Sequence, residues 1–444
     1  MTHSISKEFK FGELLKFAFP SIIMMMLLSF YTIVDGFFVA RFVGTDALSA
    51  ISIVYPLISV IIAIGVIFAT GGSALVATQM GEGLAQMARK NFTLIVISAV
   101  TASVIIAVAS LVFIKPVVIF LGARGSLILL CEKYLIILLL FAPVSVLQML
   151  FQSFFVTAGK PGLGLGFTVS AGLCNIILDY IFIVPMDMGI QGAALATGIS
   201  YCLPAISGLI FFSRNKSGLG FSIPSMDFAV ILKSCFNGSS EMITNISGSV
   251  IALIFNIFMM KFVGSDGVAA ISVIMYCQFL MTSLFLGFSI GVSPIIGFHH
   301  GAQNKVYLKK LLKMCWGFIF VASILVFIVA IGSSKLISGL FSQENSAVYL
   351  LIRRGMFIFS FSFLFAGINI FSSAVFTALS DGKTSAAISF SRTFLFTILG
   401  IFIMTRLFAI DGLWLSIPFA EAVTALITVF ILFARRKNLS FIGG

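Results

Sequence analysis

Four carboxylates lie inside long apolar runs of this chain: Asp35, Asp179, Glu241 and Glu421. The other eleven of the 15 Asp and Glu fall in polar breaks or at run ends. A carboxylate in a membrane helix costs about 2.5 kcal/mol or more, so it persists where it is used or paired. Asp35 and Asp179 each stand about five residues from the outer end of their runs. Thr197 enters a third run from the same side, and Asn175 precedes Asp179 by one helical turn. Two carboxylates, an amide and a hydroxyl at one depth can hold a proton or Na⁺. Two adjacent carboxylates do not both ionise cheaply. The bland alternatives are an Asp35–Arg41 ion pair and ordinary interhelical hydrogen bonds from Asn175 and Thr197.

A second polar set falls in the other half of the chain. Glu241, Arg392 and Glu421 reach compatible depths in three further runs. An unpaired buried Arg is expensive, so Arg392 is expected to pair with a carboxylate, either as structure or as function. Other motifs carry less. Gly159–Gly164 lacks Walker spacing and reads as a loop. His299-His300 reads as a solvated helix end with too few ligands for a metal. The six Cys have no CxxC spacing and read as packing residues. No Ser/His/Asp or ATP-binding constellation is present, so an enzyme is not expected.

The elements that position these groups follow from composition. Hydrophobic residues make up 60% of the chain, charged residues 9%, and mean hydropathy is +1.18. A soluble domain carries roughly 25% charged residues. The chain is therefore read as an all-α, polytopic membrane protein. Runs of about 20 residues span a bilayer. Twelve appear: 13–40, 47–79, 91–114, 128–157, 163–184, 189–212, 233–261, 267–299, 312–333, 348–377, 384–406 and 411–434. The first is kept as a helix, since no cleavage site follows it. With the N-terminus in the cytoplasm, 17 Lys and Arg lie inside and nine outside, the inner set including Arg435, Arg436 and Lys437. That asymmetry places both termini in the cytoplasm and accounts for the net charge of +12 without nucleic acid.

The chain also repeats itself. Phe42-Val43-Gly44-Thr45-Asp46 returns as Phe262-Val263-Gly264-Ser265-Asp266, and Gly71, Gly81 and Thr157 return as Gly291, Gly301 and Thr377. Each pair is offset by 220 residues. Six helices per repeat is an even number, so the halves are parallel repeats. The expected organisation is an N-terminal lobe (1–213), a cytoplasmic linker (214–227) and a C-terminal lobe (228–444). Two pseudo-symmetric bundles around a gap suit alternating access. Prolines within the runs, with Gly65, Gly71, Gly72, Gly287 and Gly291, read as kink or bending points.

Three stretches carry a family resemblance: Val34-Asp35-Gly36-Phe37-Phe38-Val39 with Phe42–Leu48, Asn175-Ile176-Ile177-Leu178-Asp179, and Gly192–Thr197. Together they resemble the multidrug and toxic compound extrusion (MATE) transporters over nearly the whole chain. Gly238–Glu241 is similar to the branch of bacterial drug exporters and the DNA-damage-inducible type. The resemblance implies two six-helix bundles exporting organic, often cationic, compounds in exchange for H⁺ or Na⁺. It implies that Asp35, Asn175, Asp179 and Thr197 bind the coupling cation, Na⁺ being possible at all four. Two departures are present: Tyr180 stands where the family often has Pro, and Phe357–Phe376 lacks the acid of another branch. The expected protein is a monomeric antiporter of the cell membrane, with a small organic substrate, lipid around it and no cofactor beyond the coupling ion. The competing reading is a flippase for lipid-linked oligosaccharide or peptidoglycan precursor, which calls for a cationic cavity. Arg392 alone is a clearly buried cation.

Overall fold

The computed structural model describes residues 4–216 and 218–434, without the side chains at 32, 33, 36, 37, 40, 45 and 48. Arg435, Arg436 and Lys437, counted above on the inner side, lie outside the described residues. Among the described residues every regular element is helical.

The N-terminal half contains α1 (Phe11–Phe38), α2 (Thr45–Gly81), α3 (Ala85–Val112), α4 (Leu127–Leu140 with Ala142–Thr157), α5 (Pro161–Ile183) and α6 (Gly189–Arg214). The C-terminal half contains α7 (Phe228–Phe262), α8 (Ser265–Gly301), α9 (Lys305–Phe341) and α10 (Ala347–Ser360 with Phe363–Ala378). The helical run from Gly382 to Ala434 completes it. That run is 53 residues long, too long for one crossing, and folds back at Ala409, whose φ of 50° is left-handed. Its arms are α11 and α12. Twelve crossings result among the described residues, as expected, so the start of α1 and the end of α12 lie on one face, here called the terminal side.

Sequence position explains the bends. The two pieces of α4 meet at 52°, and those of α10 at 53°. The breaks fall at Phe141 and at Phe361–Ser362, again about one repeat length apart. Pro143 follows the first break, but no proline marks the second. The repeated backbone, rather than proline alone, sets this kink.

The two halves meet through pairs of glycines. A Cβ on Gly71 would strike the backbone of Ser234 and Gly238, and one on Gly291 would crowd Ala18. Gly81 abuts Phe298, and Gly301 abuts Thr78. Each contact is the other shifted by one repeat length, so the seam has an approximate twofold axis. Gly71 and Gly291, read from sequence as bending points, instead let backbones approach across the seam. All these contacts fall in the terminal halves of the helices.

Chain order would make 214–227 a free hinge, but its first part is pinned. Arg89 donates to the carbonyls of Gly220, Lys216 and Phe221, and Ser222 N donates to Thr93 Oγ1 at 3.0 Å. Phe221 stacks on Phe92 at 5.1 Å. Residues 223–227 are exposed or half-exposed, and Asp227 caps α7 by accepting from Ala229 N at 2.9 Å. The short glycine motif is also corrected: Pro161–Gly164 is the first turn of α5, not a loop. His299 is likewise not a solvated helix end. It is 2% exposed, with its ring 4.4 Å from Tyr307.

Candidate functional site

α1 and α5 bring Asp35 and Asp179 together. Their carboxyl groups lie within hydrogen-bonding reach of each other. Asp179 is fully buried and neither of its oxygens meets a protein donor; Oδ1 of Asp35 is in the same condition. A carboxylate only accepts hydrogen bonds, so two facing carboxylates need a proton or a cation between them. Among the described residues no basic side chain forms an ion pair with either. Arg41, six residues beyond Asp35, is exposed on the π-helical turn Val39–Val43. The Asp35–Arg41 pair considered above is therefore not made.

Asn175 sits one turn before Asp179, 2% exposed, with both amide atoms unpartnered. Thr197 is half-buried on α6, and among the described residues its hydroxyl makes no hydrogen bond to the carboxylates. Asp35, Asn175 and Asp179 thus each carry unsatisfied buried polar atoms, and Thr197 stands on α6 one turn before Tyr201.

Three tyrosines complete the surroundings, and sequence reasoning missed them. The Tyr31 and Tyr201 hydroxyls lie within hydrogen-bonding reach of each other, and both are close enough to Asp35 to feel its charge. Tyr134 lies near both aspartates. Tyr31 is one turn before Asp35 and Tyr201 one turn after Thr197, a spacing that could have pointed to them. Toward the terminal side, Tyr31 and Tyr201 line a small polar cavity with Gln148, Gln152 and Ser200. Gln152 Nε2 donates to Thr168 Oγ1 at 3.1 Å, while Gln148 Oε1 is buried without a donor.

The C-terminal set is built differently. Arg392 sits on a π-helical turn, Ser391–Leu395, in α11. Its Nε donates to Glu421 Oε1 on α12 at 2.6 Å. Asn369 Nδ2 on α10 donates to Glu421 Oε2 at 2.7 Å, and Thr428 Oγ1 donates to Asn369 Oδ1 at 3.3 Å. Both Glu421 oxygens are therefore matched. The expected Arg392–carboxylate pair exists, with Glu421 as partner. Glu241 stands within electrostatic range of Arg392 but makes no ion pair with it. Asn369 was not singled out from sequence, although it is the lone amide in Phe357–Phe376.

The family model described as MatE matches residues 20–181 and 241–403, one stretch in each half. The chain belongs to the MATE family. It is accordingly a multi-pass membrane transporter and not an enzyme. Among curated relatives, the multidrug export protein MepA of Staphylococcus haemolyticus (strain JCSC1435) is 26% identical over 437 residues, covering 97% of this chain and 95% of MepA. MepA of Staphylococcus aureus (strain N315) is 25% identical over 442 residues, with the same coverages. A MATE crystal structure in complex with MaL6 superposes with TM-score 0.93 at 19% identity, covering 99% of this chain and 100% of that one. An outward-facing multidrug resistance MATE transporter of the MOP superfamily gives TM-score 0.90 at 20% identity, covering 96% of each chain. These structures share the twelve-helix fold found here.

Proposed function

We propose that this protein is a cation-coupled antiporter that exports organic, mainly cationic, compounds by alternating access of its two lobes. The observation that carries this reading is the Asp35–Asp179 pair: two carboxyl groups face each other in an apolar bundle, lacking protein donors and any basic partner among the described residues. Such a pair takes up H⁺ or Na⁺ readily and loses it when the surroundings change. Asn175, one turn before Asp179, offers an amide oxygen, and Thr197 on α6 offers a hydroxyl. The relatives named as multidrug exporters support drug as the cargo.

The terminal side is the cytoplasm in this reading, on the excess of basic residues there. The lobes, 1–213 and 228–444, rock about the glycine seam with residues 223–227 as the yielding part of the connection. The seam closed in its terminal half corresponds to a cleft opening away from the cytoplasm. Cation binding at the aspartate pair and drug binding in the cleft then exclude one another. One inward charge exchanged for an uncharged substrate gains about 2.3 kcal/mol per 100 mV, which supports roughly fiftyfold accumulation outside. Against a monovalent cationic drug the charges cancel, and the H⁺ or Na⁺ concentration gradient alone drives export. The protein acts as a monomer in the cell membrane, without a cofactor. A flippase of anionic lipid precursors is disfavoured, because the buried Arg392 is already engaged by Glu421.

Inverted vesicles carrying the protein, loaded by an imposed pH gradient and separately by an imposed Na⁺ gradient, test the proposal. Accumulation of a cationic dye under one of the two is expected. Accumulation under neither, with the protein correctly inserted, contradicts it.

A further inference from the structure

The glycine-rich start of α5 has no role in cation exchange, yet it shapes a cavity of about 490 Å³ on the terminal side. The cavity is a groove between the first turns of α5 and the last turns of α6. Leu163, Phe167, Ile210 and Phe211 supply apolar walls, Ser207 is the one hydroxyl, and Arg214 with Asn215 closes the terminal end. Gly162 and Gly166 leave open space on α5 where side chains would otherwise project. Leu163, Ile206, Leu209 and Ile210 are all exposed, so this face looks into lipid. Phe211 is held at the back by Phe155 at 5.4 Å and Phe212 at 5.0 Å, so the slot is part of the fold rather than a gap between mobile side chains.

Arg214 is exposed at the last turn of α6, the level of the headgroups, and forms no ion pair with a carboxylate among the described residues. An apolar slot one helix-pair wide, ending in an uncompensated guanidinium, matches an acyl chain ending in a phosphate. We propose that this groove holds one anionic phospholipid, with its chain against Leu163, Phe167 and Ile210 and its headgroup on Arg214. An exported cation is a poor occupant, since it would meet Arg214 with like charge. The two helices the lipid bridges are those that carry Asn175, Asp179 and Thr197.

Native mass spectrometry of the full-length protein, given equal amounts of phosphatidylglycerol and phosphatidylcholine with identical chains, tests the site. One retained lipid with a preference of about fivefold for phosphatidylglycerol is expected, the factor one basic side chain supplies near a surface. Arg214→Gln should bring the ratio close to one. Ser207→Trp, which fills the slot, should reduce retention of both lipids. Arg406→Gln, on the opposite face, should leave the wild-type ratio in place. Equal retention of the two lipids by the wild type, or an unchanged ratio in Arg214→Gln, overturns the proposal. If Arg214→Gln does not insert, undiminished lipid retention in Ser207→Trp overturns it alone.

Discussion

The two halves of this molecule share a backbone and treat buried charge in opposite ways. In the N-terminal half, Asp35 and Asp179 face each other, and among the described residues neither a basic side chain nor a hydrogen-bond donor completes them. In the C-terminal half, Glu421 has an arginine on one oxygen and an amide on the other. Both sets lie beside a π-helical turn, Val39–Val43 in one half and Ser391–Leu395 in the other. Such turns re-aim side chains in the helix and recur at functional sites. Duplication supplied the scaffold twice, and divergence left one half with an open electrostatic demand and the other with a closed network. An open demand is where an exchangeable ion acts. A closed network fixes geometry.

The contrast breaks most sharply by removing charge on each side. Asp35→Asn and Asp179→Asn should each reduce coupled export to background while the protein still reaches the membrane, measured by dye efflux with surface-labelled protein as the control. Asp179→Asn should also melt no lower than wild type, because an amide facing Asp35 supplies the missing donor and removes like charge. Arg392→Ala should do the reverse. It strands the Glu421 carboxylate and should cost about 3–5 kcal/mol, read as a large fall in melting temperature. The double variant Arg392→Met with Glu421→Gln should recover most of that loss, since no charge is then left unpaired.

The seam gives a smaller, conformational effect. Gly301→Val places a side chain on the Thr78 backbone and should hold the terminal halves apart. Cysteine crosslinking across the terminal ends of α2 and α8 should then fall severalfold. Smallest of all, Glu241→Gln should change export for some substrates by a few-fold and leave melting almost unmoved, because Glu241 is half-buried and outside the Arg392–Glu421 pair. A stability loss as large as that of Arg392→Ala would instead place Glu241 inside the network.

Much of this arrangement was legible in the residues. A carboxylate in an apolar run is so costly that Asp35, Asp179, Glu241 and Glu421 announce themselves. The recurrence of Phe-Val-Gly at an offset of 220 marked the duplication and, with twelve apolar runs, the architecture. The rest was hidden for physical reasons. Tyr31, Tyr134 and Tyr201 have an apolar body and a polar tip, so they pass for packing until their neighbours are known. Asn369 matters only because α10 and α12 bring it to Glu421. Arg89 reads as one more basic residue of the terminal side, yet its three bonds hold the first part of the linker to α3. Gly71 and Gly291 looked like bending points because sequence shows a missing side chain but not what fills its place.

In the proposed cycle the aspartate pair gives up a cation when drug binds. This step is tested most directly by adding a cationic drug to purified protein in weak buffer and recording proton release, with Na⁺ release followed in parallel by isotope. Release of one of the two ions on drug binding is expected, absent from both Asp35→Asn and Asp179→Asn. Tight drug binding with neither ion released, or release undiminished in both variants, would contradict it.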